Sequence, residues 1–443
     1  MAGDVVCTIR FTSDEDFTYQ DSLIRQGDRP DPPVVGKIDH GSLSWETAML
    51  LGSWMREDGD RARDKEIRLL GRHLYELLFG GGIGQLFRAA YRNGTNKFRI
   101  ELHFGPRALD VADLPWEFLF LPSDTGGIFL AGQRDEIVLT RVAMSSDDLD
   151  AGLATAQRPL RILVASLSPT TDVEPVVSKV AELGRSDPVE VTALKDPTFD
   201  ELYETINGRC RPHVLHLVGH GEERGLQMRR TPDPGAAALA EASRLAGVAT
   251  PDGDRILVLA DTIKSLFNEY QPYLVFLHSC DGAANLRAVY STARTIVYSS
   301  VPAVVAMQYK IEAGDASRFV GTFYRVLADG RSVGEAVSAG RRELAKGSET
   351  GVTKQDWSTR LFGTPVVYLR RDLPLVSRPL PSASRAPLAD QRACSNCGMA
   401  ASAEARFCLS CGNPIAPAMR PVLGGIGGRP DRWSVSGYRD VTI

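Results

Sequence analysis

The amino-acid sequence predicts an α/β fold in which a mostly parallel sheet carries helices on both faces. Three observations lead there. The runs RILVASL (161–167), HVLHLVG (213–219), YLVFLHS (273–279) and AVVAMQ (303–308) are almost continuously apolar, as strands covered on both sides should be. Stretches with helical spacing stand between them, at 174–184, 198–207 and 261–268. Strand and helix therefore alternate, and such alternation builds parallel βαβ units.

Each element has its own signal. VVCTIRF (5–11) reads as a strand, and residues 21–42, rich in Asp, Pro and Gly, read as loop. In 61–79, Ile67, Leu70, Leu74, Leu77 and Leu78 recur at helical spacing, and Gly80, Gly81 and Gly82 end the helix. KFRIELHF (97–104) alternates apolar and polar, as a half-buried strand does, and IVLTRVA (137–143) is a further strand. Pro115 in LPWEFLFL suits a first helical turn. Trp45, Met49, Trp54 and Trp116 are expected in the core of this region. After a polar stretch at 144–157 come strand 161–167, helix 174–184, strand 189–194 and helix 198–207. GLQMR (225–229) and RILVLA (255–260) read as a hairpin around a long insertion at 230–254. Helices at about 314–328 and 332–346 precede a closing strand, VVYLR (366–370).

Bulk composition excludes several classes. The chain has 443 residues, enough for more than one domain, with ordinary apolar (43%) and charged (24%) content. A net charge of −4 gives no electrostatic basis for nucleic-acid binding through bulk charge. No apolar run is long enough to span a bilayer, and MAGDVVCTIR lacks the pattern of a secretory signal, so a cytoplasmic location is expected. Seven cysteines, an odd number, do not make a disulfide framework. The glycine clusters at 80–82 and 424–428 lack the Lys-Ser/Thr of a phosphate loop, so no nucleotide site is expected.

Three of the seven histidines fall within HVLHLVGHG (213–221). His213 and His216 sit in or at the start of the apolar run, where a hydrogen-bonded structural histidine is expected. His220 follows the run, between Gly219 and Gly221, at the carboxyl end of a predicted parallel strand. Ligands bind at such ends, although a plain tight turn explains a Gly-His-Gly equally well. YLVFLHSCDGA (273–283) repeats the layout, with Cys280 just past the apolar run. If the two strands are neighbours, His220 and Cys280 meet above one sheet edge, and an imidazole there can take the thiol proton. Sixty residues separate them, and the insertion at 230–254 lengthens an otherwise caspase-like spacing. A buried structural thiol is the other reading of Cys280.

Together LPWEFLF, RILVAS, HVLHLVGHG, LVFLHSCDGA and AVVAMQYKIEAGDASRFVGTFYRVLADGRSVGEAV resemble a CHAT domain, a caspase-like domain of the clan that includes caspases, metacaspases, gingipains and separase. The resemblance covers most of residues 60–370. It implies a non-catalytic lobe at 1–150 and a caspase-like catalytic domain at 158–371. It also implies His220 as general acid/base, Cys280 as nucleophile, and the N–H groups of Gly221 and Cys280 as the oxyanion hole. Peptide-bond hydrolysis through a thioester, with no catalytic cofactor, is the expected reaction. The sequence departs from the family's Asn-Ala-Cys-Glu-type loop: it has His278-Ser279-Cys280-Asp281, which puts His278 at a position expected to contact substrate and leaves the preferred residue open. Asp315, where the family often carries an acid, is expected to cap a helix.

Beyond a Pro-, Ser- and Arg-rich linker at 372–393, CSNCGMAASAEARFCLSCG carries two Cys-x-x-Cys-Gly units separated by ten residues. Cys394, Cys397, Cys408 and Cys411 match the four thiolates of a tetrahedral, structural Zn²⁺ site. A redox pair or disulfides are the alternative, disfavoured in a cytoplasmic chain. The segment 394–415 resembles a small zinc ribbon, and 416–443 is a Gly- and Pro-rich tail. Few basic residues lie near it, so a protein contact is favoured over nucleic acid.

The expectation is thus a caspase-like cysteine endopeptidase acting on a protein substrate and regulated by a protein partner. The resemblance implies a role in bacterial signalling or defence. The competing reading is a catalytically silent CHAT scaffold acting through its zinc ribbon. Arg229 and Arg230, beside the insertion, suggest a self-processing site.

Overall fold

The structure, a computed structural model, describes residues 4–24, 32–57, 62–93, 97–143, 159–231, 255–279, 292–346, 359–376, 391–393 and 400–402, apart from 106, 124–125, 135, 170–172, 184–188, 220, 223–224, 294, 298–300 and 373 within those ranges. Contacts divide the chain into two units, Met1–Arg378 and Pro379–Ile443.

The first unit opens with an antiparallel meander, β1 (Asp4–Phe11), β2 (Asp16–Ile24) and β3 (Val34–Lys37). Helices α1 (Leu43–Glu57), α2 (Asp64–Phe79) and α3 (Gly81–Asn93) lead to β4 (Phe98–Phe104). A short helix α4 (Leu109–Asp113) and the small pair β5 (Phe120–Leu121) and β6 (Ile128–Phe129) precede β7 (Ile137–Ala143). Then follow β8 (Leu160–Ser166), α5 (Glu174–Leu183), β9 (Val189–Lys195), α6 (Phe199–Glu204) and β10 (Val214–Gly219). A separate three-stranded sheet comprises β11 (Gly221–Glu222), β12 (Gly225–Arg229) and β13 (Arg255–Leu259). The chain continues through α7 (Ala260–Ile263), β14 (Leu274–Ser279), β15 (Ala303–Met307), α8 (Ala313–Ala328), α9 (Val333–Leu344) and β16 (Pro365–Leu369).

Eleven strands form one sheet in the order β3-β2-β1-β4-β7-β16-β15-β14-β10-β8-β9. Apart from the meander, its only antiparallel pairing among the described residues is β15–β16. The fold is therefore the α/β class the sequence predicts. Side chains alternate across each strand. Val214, Val218, Phe276, Val305 and Met307 face a layer of α5, α8 and α9. Leu215, Leu217, Val275, Leu277 and Val304 face the opposite core, with Leu202, Ile263 and Phe267. Coverage on both sides is why these strands read as unbroken apolar runs.

In the second unit β17 (Gln391–Ala393) pairs antiparallel with β18 (Ala400–Ser402).

Several local expectations are corrected. Residues 21–42 are not all loop: Phe17 and Tyr19 bury one face of β2, which runs to Ile24, and β3 follows at Val34. The glycines after α2 end that helix but also start another, because Gly81 takes φ +60 and α3 buries Ile83, Phe87 and Ala90. Neither α1 nor α3 was expected. Helix 198–207 becomes α6 followed by a π-turn, Thr205–Cys210. Asp315 is not a cap: Glu312 occupies that position, and Asp315, in the first turn of α8, pairs with Arg318 at 2.6 Å. Arg229 is a strand residue bound to Glu201 at 2.7 Å, so it does not form the free basic pair that self-processing calls for.

Candidate active site

Strands β10 and β14 are parallel neighbours, and their last residues, Gly219 and Ser279, are register partners. The next residue on each strand is His220 and Cys280 respectively, and both lie outside the described residues. Gly221 begins β11 and is paired with Leu226 of β12. The structure thus brings together the chain positions that lead into the two predicted catalytic residues, at the carboxyl ends where α/β sheets bind ligands.

Gly219 allows a close approach. A Cβ there would stand 2.8 Å from Cβ of Leu167, which follows β8. The N–H of Leu167 donates to the carbonyl of Val218 at 2.7 Å, so backbone and side chain both join β8 to the end of β10.

The other histidines are structural in placement. His213 accepts from the N–H of Arg161 through Nδ1 at 3.2 Å. Burial, with the Arg161 charge, pushes it down to about 4. His216 is buried on β10, its Nδ1 sharing a 3.1 Å hydrogen bond with the Tyr324 hydroxyl. Its ring lies 4.2 Å from Phe276 and 5.6 Å from His278. His278 is 4% exposed on β14, beside the aromatic face that α8 covers, and burial pushes it down to about 4. Nε2 of His216 and both ring nitrogens of His278 have no hydrogen-bond partner among the described residues. Burial lowers the His216 ring as well, with the nearby His278, and His278 is packed among aromatic rings.

A buried charge cluster was missed from the sequence. Glu117, within LPWEFLF, accepts from Arg141 Nε at 3.0 Å and Nη2 at 2.7 Å. Gln308 Nε2, just past β15, donates to the same carboxylate at 3.0 Å, and Arg341 of α9 lies 3.7 Å away. Burial alone would raise the Glu117 carboxyl; the charges and hydrogen bonds of the arginines hold it below its ordinary value. Arg141 also donates to the carbonyls of Ala112 and Leu114, and Arg341 to Pro365. The cluster ties the LPWEF turn to β7, α9 and the carboxyl end of β15. A Glu and an Arg inside otherwise apolar runs were the available signal, because a buried charge requires a partner.

A CHAT-domain family model matches residues 68–371, more than half of the sequence. The chain belongs to the CHAT family. No curated protein matches it. Two solved structures of this CHAT protein's neighbours are crystals of the Saccharomyces cerevisiae separase–securin complex. One, at 3.0 Å resolution, is 11% identical with a TM-score of 0.44, over 83% of this chain and 30% of that one. The other, at 2.6 Å, is 10% identical with a TM-score of 0.35, over 82% and 30%. The chain thus spans less than a third of the separase chains it matches.

Of the remaining predicted residues, Cys394, Cys397, Cys408 and Cys411 lie outside the described residues, as do 232–254 of the insertion 230–254 and the linker 144–157. The strands that flank the first Cys-x-x-Cys unit are described: Ala393 and Ala400 are register partners. Among the described residues no helix is long and apolar enough to cross a membrane.

Proposed function

We propose that this CHAT protein is a cysteine endopeptidase in which Cys280 is the nucleophile and His220 its base. The observation that carries the reading is the Gly219–Ser279 register pairing at the carboxyl ends of adjacent parallel strands. Chain connectivity then starts both residues from the same level of the sheet. Cys280 Sγ, deprotonated by His220, attacks the peptide carbonyl, and the N–H groups of Gly221 and Cys280 stabilise the oxyanion. The amine leaves with the proton from His220, forming a thioester. His220 then activates a water, which releases the acid and restores the thiol. The ring of His278 is buried on the α8 side of β14, which does not favour it as a direct substrate contact.

Cys394, Cys397, Cys408 and Cys411 are proposed to hold one structural Zn²⁺. The donor set of four thiolates in two Cys-x-x-Cys units supports this reading. This segment is the proposed docking site for a regulatory protein, in a cytoplasmic signalling or defence setting.

The test is proteolysis itself. A peptide library is incubated with the full chain and with Cys280→Ala, and new termini are identified by mass spectrometry. New termini that require Cys280 support the endopeptidase. No cleavage, alone or with co-purifying partners, supports a silent scaffold instead.

A further inference from the structure

We propose that Asp196 and Arg255 are positioning residues that clamp the β11–β13 sheet to the carboxyl ends of β8 and β9, and so hold the segment that starts at His220. The inference rests on the reading of His220 as the base, and it adds residues which that reading does not include.

The contacts form a continuous chain. Asp196 immediately follows β9, with φ +47, a left-handed conformation that Asp and Asn tolerate better than most residues. Its N–H donates to the carbonyl of Ser166, the last residue of β8, at 2.7 Å. Its carboxylate receives Arg255 Nη1, from the first position of β13, at 2.5 Å. The other arm of the same guanidinium donates to the carbonyl of Leu167. Leu167 is the residue that donates to Val218 and packs against Gly219. One arginine therefore links β13 to the residue that abuts the end of β10.

Arg229, the last residue of β12 and the register partner of Arg255, holds the same Asp196. Its Nε donates to the Asp196 carbonyl at 2.8 Å, and Nη2 to Glu201 at 2.7 Å. A backbone bridge joins Arg229 to Thr198, the N-cap of α6. β12 in turn pairs with β11, whose first residue, Gly221, follows His220. The side chains of Asp196, Arg229 and Arg255 are 17%, 29% and 26% exposed. They are sheltered enough for the Arg255 fork, one arm on the Asp196 carboxylate and the other on the Leu167 carbonyl, to set geometry, which a loose surface pair does not do.

A base must be held at hydrogen-bond distance from its nucleophile with a tolerance of a fraction of an ångström. His220 is bounded by Gly219 on one side and by β11 on the other. The clamp fixes both flanks to the same two strand ends.

The experiment compares full-length wild type, Asp196→Asn and Arg255→Lys. Asp196→Asn removes the charge and keeps the left-handed preference; Arg255→Lys keeps the charge and removes the fork. Amide exchange is followed across 221–229, with β1 and β4 as folding controls, together with the pH dependence of Cys280 alkylation by iodoacetamide. The expected result is exchange at 225–229 faster by about tenfold or more in Asp196→Asn, unchanged exchange in β1 and β4, and a Cys280 alkylation midpoint moved toward that of an ordinary thiol. Arg255→Lys should move both in the same direction, by less. Unaltered exchange at 225–229 overturns the clamp. Faster exchange with a wild-type Cys280 profile also overturns it, because the clamp would then position nothing. If wild-type Cys280 itself titrates as an ordinary thiol, the Cys–His reading fails separately. Exchange at 225–229 then still decides whether Asp196 and Arg255 hold the segment.

Discussion

Gly219 of β10 and Leu167 after β8 are in close packing contact, so that a methyl group on Gly219 would stand 2.8 Å from the leucine Cβ. That contact sits one residue before His220. Gly219→Ala is therefore expected to push β10 from β8 at its carboxyl end. The expected cost is about 1–3 kcal/mol, the usual range for overpacking. Calorimetry would show a lower Tm, and Cys280 alkylation would slow in the same variant. An unchanged Tm would mean that Leu167 moves aside at no cost.

His213 and His278 are both pushed from 6.5 down to about 4, chiefly by burial. The unfolded chain binds these protons at higher pH than the native state. Stability therefore rises with pH through this window and is lost as pH falls from 6.5 to 4. Each buried histidine contributes a slope of up to about 1.4 kcal/mol per pH unit. Urea unfolding at pH 7, 6 and 5 should show the decline, and His278→Phe should flatten it. Equal slopes in the two proteins would rule out His278 as a source.

Glu117 is the buried counter-charge for Arg141 and lies 3.7 Å from Arg341. Glu117→Gln leaves both guanidiniums buried without it. Removing one partner of such a pair costs about 3–5 kcal/mol. Denaturant titration should place the midpoint well below that of the wild type. A variant of wild-type stability would show that the carbonyl acceptors of Ala112, Leu114 and Pro365 suffice for the arginines.

The zinc proposal has an elemental readout. One zinc per chain is expected, with weakened retention in Cys397→Ser. Because Met1–Arg378 and Pro379–Ile443 are separate units, chelation should leave the main unfolding transition of the first unit in place. Absence of zinc in protein prepared with the metal present would contradict the four-thiolate site.

Strands buried on both faces were legible because packing leaves them few polar positions. β8, β10, β14 and β15 lie within a residue or two of the expected runs. β2 was not legible. Its sequence DFTYQDSLI is polar on one face, and Pro and Gly crowd the segment that follows. α1 was hidden because Trp45, Ala48 and Met55 bury a narrow stripe, while Leu50 stays 71% exposed and blurs the period. In the site, the ends of the apolar runs marked the carboxyl ends of β10 and β14, the residues that precede His220 and Cys280 in the sequence. Asp196 and Arg255 gave no comparable signal, and Glu117 gave only that of a charge inside an apolar run. Their partners are distant in the chain, Arg141 and Gln308 for Glu117 and Arg255 for Asp196, and only the fold brings them together.

The most direct test of the central claim is the pH profile of Cys280 alkylation in wild type and His220→Ala, with label located by mass spectrometry. Two thiols serve as internal references: burial pushes Cys7 up to about 12 and also raises Cys210. An imidazole-activated Cys280 should label fast at or below pH 7, ahead of both references, and slow by at least about tenfold in His220→Ala. Labelling of Cys280 at the rate of an ordinary thiol, identical in the two proteins, would contradict the Cys–His pairing.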